Sequence, residues 1–251
     1  MKKARKVLAV VLALVLTATL SIAGTVAYLK DTDNETNVFT IGNVEIDLKE
    51  DFVQNSKLFP GVDVNKDVWV ENTGSEEAYV RVHIAFPKVL DSGDPEFAAY
   101  ANKLHWNFTG ASVADGQWNW HKTNVNSEHA TMKGWPGNGG AWNSYEVTLD
   151  GVEYTVYVAT YETKLDGKTG DTVVKTATTA LDKVYLDTTI TNEDLFRLDD
   201  VLGGTDPEKL DGVWDIKVVA EGGQVAGFED AYTALNTQFG VPSATNNPFL
   251  P

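Results

Sequence analysis

AYVRVHIAFP, residues 78–87, is the stretch that decides the fold class. Ala78, Val80, Val82, Ile84 and Phe86 alternate with Tyr79, Arg81 and His83, a period of two that puts one row of side chains on each face of a β-strand. Pro87 cannot donate to a ladder, so the strand ends there. His83 falls on the polar face and reads as a solvated side chain.

The same alternation recurs along the chain. Val44, Ile46 and Leu48 alternate with Glu45, Asp47 and Lys49, and Val38, Phe39 and Ile41 precede them. After the turn signal Pro60-Gly61, Val62 and Val64 lead into Val68-Trp69-Val70. Residues 145–149 and 152–161 flank Asp150-Gly151, a two-residue hairpin signal whose glycine supplies the positive φ of a type I′ turn. Val184, Leu186, Thr188 and Ile190 alternate again, as do Trp214, Ile216 and Val218. Only two segments read as helix. One follows the N-cap signal at Thr191 and stops at Gly203-Gly204; the other runs from Phe228 to Phe239, where Phe228, Tyr232, Leu235 and Phe239 make one apolar stripe. The pattern predicts an all-β protein, a jelly-roll-like antiparallel β-sandwich with a few short helices.

Between residues 88 and 143 the character changes. Five of the seven tryptophans fall here, Trp106, Trp118, Trp120, Trp135 and Trp142, among many Asn, Gly and Ser residues. This reads as a long insertion. Its rings are candidate surface-binding aromatics that would stack on sugars or on a partner; the alternative is that they fill a small core under the loop.

The amino terminus is a secretory signal. Lys2, Lys3, Arg5 and Lys6 precede an uncharged run from Val7 to Leu29. Thr25-Val26-Ala27 offers a cleavage site after Ala27, so the mature chain is expected to begin at Tyr28. Ser21-Ile22-Ala23 offers a second one. The domain organisation expected is a signal peptide at 1–27, an exposed arm at 28–37 and one domain over 38–251. Contact with a membrane is expected only before cleavage.

Net charge is −16, and removing residues 1–27, which carry four positive charges and no acid, takes it to −20. Such a surface repels nucleic acid and anionic headgroups. With no cysteine in 251 residues, disulfides, thiolate metal sites and a cysteine nucleophile are excluded.

Chemistry-bearing motifs are scarce. A hydrolytic zinc site usually places two histidines one helical turn apart with a glutamate beside the first. His83, His105, His121 and His129 lack that spacing. The nearest constellation is His121 with Glu128-His129. Asp31-Thr32-Asp33-Asn34-Glu35 has the look of half a calcium loop but lacks the glycine and terminal glutamate at their offsets. No catalytic residue, metal site or cofactor is expected, and the chain reads as a non-enzyme.

Two phrases carry a resemblance. GTVAYLKDTDNETNVFTIGNVEIDL, residues 24–48, and LFPGVDVNKDVWVENTGSEEAYVRV, residues 58–82, are similar to the start of the TasA and camelysin (CalY) family of secreted proteins processed by a SipW-type signal peptidase. KVVAEGGQVAGFEDAYTAL, residues 217–235, is similar to the closing strand and helix of many members, although Gly222-Gly223 interrupts the usual pattern. The resemblance implies a jelly-roll domain secreted to the extracellular matrix or cell surface of a bacterium. In the fibre-forming members the segment exposed by cleavage is taken up by the next subunit as an added strand, which would make Tyr28, Leu29 and Lys30 a donor arm and Asp31 to Glu35 its tether. The partners implied are the chain itself or related matrix proteins. Two other readings stay open: an adhesin or carbohydrate-binding module using the tryptophans, and a camelysin-like metalloprotease.

Overall fold

The computed structural model describes residues 43–53, 56–91, 103–106, 118–120, 143–206, 208–212 and 214–250. They form two antiparallel sheets packed face to face. The strands are β1 (Ile46–Asp51), β2 (Val64–Asn72), β3 (Ala78–Pro87), β4 (Leu104–Trp106), β5 (Trp118–Asn119), β6 (Ser144–Leu149), β7 (Val152–Leu165), β8 (Val174–Lys175), β9 (Leu181–Leu186) and β10 (Lys217–Gln224), with helices α1 (Lys88–Asp91), α2 (Asn192–Val201) and α3 (Ala231–Phe239). The first sheet runs β1-β2-β9-β4, with β8 also on β2; the second runs β10-β3-β7-β5, with β6 also on β7. From β2 to β5 the chain changes sheet at every strand, the crossing habit of jelly rolls.

The expected sandwich is found, and its core lies where the alternation put it. Val80, Val82, Ile84 and Phe86 of β3 face Val68 and Val70 of β2 across the interior, all fully buried. Asp150 and Gly151 both take positive φ, at 53° and 86°, as the hairpin signal requires. Thr191 caps α2 through a capping box with Asp194. α3 begins at Ala231, three residues after Phe228, because Asp230 accepts the Thr233 N–H as its N-cap. The 184–190 alternation stops early: Asp187 turns the chain by accepting the Thr189 N–H, so β9 ends at Leu186.

Two pieces of the tryptophan-rich segment are strands of the sandwich itself. β4 pairs with β9, and β5 with β7. Trp106, Trp118 and Trp120 are 4%, 1% and 1% exposed and belong to the main core. Trp106 stacks on Phe86 at 5.1 Å between centroids, and Trp118 donates its indole N–H to the Thr178 carbonyl. These three rings are therefore core side chains, as the core alternative had it, although they belong to the main core and not to a small one under a loop; as surface-binding aromatics they are corrected. Trp135 and Trp142 lie outside the described residues, as do the signal peptide and Ala27, Tyr28, Leu29 and Lys30. Among the described residues no helix is long and apolar enough to cross a membrane.

Candidate functional site

The segment preceding β1 enters the domain at Asn43, and the turn between β2 and β3 fixes it there. The N–H groups of Thr73 and Gly74 donate to the Glu45 carbonyl at 2.9 and 3.0 Å, and that of Glu76 to the Asn43 carbonyl at 3.3 Å. In return the Asn43 N–H donates to the Ser75 hydroxyl at 3.3 Å. So close an approach needs Gly74, since a Cβ there would stand 2.3 Å from the Asn43 oxygen.

Asn72 holds the turn from below. It is fully buried, and its amide donates to the carbonyls of Glu76 at 2.8 Å, Asp166 at 3.0 Å and Leu165 at 3.3 Å, while its oxygen accepts from the Gly74 N–H at 3.0 Å. One side chain thereby satisfies backbone groups of the β2–β3 turn and of the end of β7. The Asn72-Thr73-Gly74 phrase thus forms a root that holds residues 43–45, just ahead of β1, against the domain.

β1 and β10 share one flank of the sandwich, where Ile46 packs on Gly222. A Cβ on Gly222 would meet the Ile46 Cγ2 at 2.5 Å, and one on Gly223 would meet the Gln238 amide of α3 at 2.8 Å. The glycine pair that breaks the sequence pattern thus lets β10 pass between β1 on one face and α3 on the other.

On the outer face of the second sheet lies a buried polar network. His83 is fully buried, which corrects its reading as a solvated side chain. Its Nδ1 lies 3.0 Å from the Tyr145 hydroxyl and its Nε2 3.0 Å from the Glu221 carboxylate. Arg81, 2% exposed, donates through Nε to Glu221, through Nη1 to Asn236 Oδ1 at 2.9 Å and through Nη2 to the Gly240 carbonyl at 3.0 Å. Burial holds the His83 pKa below its ordinary value despite the hydrogen bond to Glu221 that raises it. For Glu221 burial pushes the other way, yet the hydrogen bonds from His83 and Arg81 prevail and hold it low. Burial together with the Glu162 hydrogen bond raises Tyr232, whose hydroxyl donates to that carboxylate at 2.7 Å. The network joins β3, β6 and β10 to α3 and fastens β10 in place. The alternation could not reveal this, because α3 supplies the cover from far along the chain.

His105 stands apart, 3.0 Å from Asp187 and stacked on Tyr185 at 4.9 Å between centroids. The Thr189 hydrogen bonds and that of His105 hold the Asp187 carboxyl well below the usual range. Among the described residues no group of three or more His, Asp or Glu side chains is placed to hold a metal ion. His121, Glu128 and His129 lie outside them.

Residues 2–112 match the family described as camelysin metallo-endopeptidase. Over that stretch the chain is camelysin-like. The match covers less than half of the sequence, and it takes in both the 24–48 and 58–82 phrases that carried the resemblance to the TasA and camelysin family. The root built by Asn43, Asn72 and Gly74 lies wholly inside the camelysin-like part. No curated protein matches the chain.

Proposed function

We propose that this chain is a structural subunit of extracellular matrix or cell-surface fibres, assembling head to tail when its amino-terminal segment is added as a strand to the next copy. The camelysin match supports the coarser part of this reading, a secreted protein of matrix type at the cell exterior. The observation that carries the finer part is the root at Asn43. Asn72 and Gly74, from the 58–82 phrase of the resemblance, act by anchoring residues 43–45 at the start of β1. An anchored segment gains purpose if what lies upstream is used. An extended arm can satisfy its backbone groups on an open sheet edge, and head-to-tail contacts of that kind do not close on themselves. Tyr28 and Leu29 would be the anchors of the arm, exposed by a SipW-type peptidase, and the partner would be the chain itself or a related matrix protein.

The test is a pelleting assay on the chain beginning at Tyr28 and on its Leu29→Asp variant. The first should sediment as polymer and the second should stay in the supernatant. Equal sedimentation would remove the arm from the account.

The family description favours a second reading, an endopeptidase. Hydrolysis of an unstructured protein substrate that is abolished by a chelator and lost in His121→Ala would establish it.

A further inference from the structure

The outer face of the second sheet carries two separate apolar clusters, and the chain covers them by different means. α3 covers the first, where Ala231, Ala234 and Leu235 pack with Tyr79, Phe228 and Phe239. The second is formed by Ala85, Leu149, Tyr154 and Val156 and receives no residue of α3. Among the described residues after β10, only Phe249 packs against it. Residues 241–250 therefore form a strap. It leaves the helix at Gly240, whose φ of 80° turns the chain, and it ends on one aromatic ring in an apolar pocket.

The two ends of the strap are held unequally. At its root Arg81 donates to the Gly240 carbonyl at 3.0 Å. Beyond that point, among the described residues, the hydrogen bonds of 241–250 stay within the segment or return to the end of α3. Ser243 and Asn246 exchange backbone bonds, the Asn247 amide donates to the Ser243 and Ala244 carbonyls, and the Asn246 amide donates to those of Val241 and Phe239. None of them ties the strap to the sheet, so Phe249 can leave with the turn at 243–247 intact. The seat is imperfect as well. Tyr154 is fully buried in this cluster and its hydroxyl has no hydrogen-bond partner, a cost that weakens closure. Val241 and Leu250, at opposite ends of the strap, remain 56% and 43% exposed.

Charge selects what else can sit there. The β6–β7 hairpin that lines the pocket carries Glu146, Asp150 and Glu153, each with its side chain more than half exposed. An acidic segment would be repelled. Yet the last charged residue of this acidic chain is Asp230, and Ala231 to Pro251 carries no charged side chain. A second copy brings to the pocket the same neutral segment with the same ring. We propose that the strap exchanges between copies, Phe249 of one chain seating among Ala85, Leu149, Tyr154 and Val156 of another. Each contact made within one chain is remade between two, and the unmet Tyr154 hydroxyl costs the same in both forms. The balance falls to the junction, where Val241 and Leu250 pass from one body to the next and lose their exposure. The acidic bodies oppose the approach, and salt screens them beyond about 8 Å at physiological ionic strength. Exchange therefore grows with salt and with concentration. It stands independently of the amino-terminal arm.

The chain has no cysteine, so introduced thiols report position without background. Chains beginning at Tyr28, distinguished by tags of different length, would carry Val147→Cys on one and Leu250→Cys on the other. They would be mixed, oxidised and run on a non-reducing gel, with folding checked by circular dichroism. The expected result is a mixed-tag disulfide dimer that strengthens with salt and falls about tenfold or more when Phe249→Ala is added to the Leu250→Cys chain. A single chain carrying both cysteines reports the closed form, and its internal disulfide should give way to dimer as concentration rises. Closure of that chain on itself, with no mixed-tag dimer at any salt or concentration, would overturn the exchange. A dimer that survives Phe249→Ala would overturn the pocket as its cause, and no disulfide in either arrangement would overturn the seating of Phe249. The same dimer is expected from chains beginning at Val38; its loss there would assign it to the arm and overturn the exchange.

Discussion

β1 and β10 meet across the sandwich at Ile46 and Gly222, yet they are held by opposite kinds of chemistry. β1 hangs from a neutral root, where backbone groups of residues 73–76 bond to Asn43 and Glu45 over a buried asparagine. β10 is held by charge, through Glu221 on Arg81 and His83. A neutral root holds at any pH at which the backbone is intact. A charged, buried fastening depends on protonation, and a single lost partner leaves an uncompensated group behind. The comparison teaches that the chain fixes residues 43–45, at the start of β1, by bonds that do not titrate, and fastens β10 through groups that do.

The largest expected effect comes from breaking the neutral root. Asn72→Ala leaves the Gly74 N–H and buried carbonyls of two loops without their partner, and should cost about 3 kcal/mol or more. In a domain of this size that is roughly 10 °C of melting temperature by calorimetry. A variant that melts with the parent would show that the root is ornamental.

Next is the contact between the two strands. Gly222→Val drives a branched side chain into Ile46 and should destabilise the domain by about 1–3 kcal/mol. The same substitution combined with Ile46→Ala should recover part of the loss, since the second change vacates the space that the first one fills. Additive losses would contradict the contact.

The pH dependence separates the two fastenings. His83 is held in the fold below its ordinary 6.5, so the unfolded chain takes up a proton that the folded chain refuses. Stability should therefore fall as pH drops through 6.5, at up to about 1.4 kcal/mol per pH unit. Glu221, held below its ordinary 4.5, adds a loss of the same sign as pH falls through that value. Melting curves taken from pH 7.5 to 5 should show the decline, and His83→Gln should flatten it. A slope unchanged by that substitution would assign the effect elsewhere. The smallest effect is expected at Lys49→Ala, where an exposed pair is lost and the melting temperature should not move measurably.

Much of the sandwich was legible because its long strands obey a period of two. β3, the Asp150-Gly151 hairpin and the Thr191 cap each carry their own local signal. β4 and β5 were not legible: strands of three and two residues show no period, so their tryptophans could be read as surface aromatics or as a small core under a loop, but not as strands of the main core. His83 misled for a different reason. Alternation assigns a side chain to a face but does not say what covers that face, and here Tyr145 of β6 and Glu221 of β10, 62 and 138 residues later, take both of its ring nitrogens. The candidate root was visible only as a phrase, Asn72-Thr73-Gly74; that its asparagine is buried and its glycine touches Asn43 is a matter of tertiary contact. The Gly222-Gly223 interruption likewise makes sense only once Ile46 and Gln238 are seen on either side of it.

The central claim is that the segment rooted at Asn43 is what links one copy to the next. Its most direct test is negative-stain electron microscopy, over a range of pH and salt, of two chains that both fold by circular dichroism, one beginning at Tyr28 and the other at Val38. The account predicts filaments from the first and none from the second. Filaments from both in equal measure, or from neither, would contradict it.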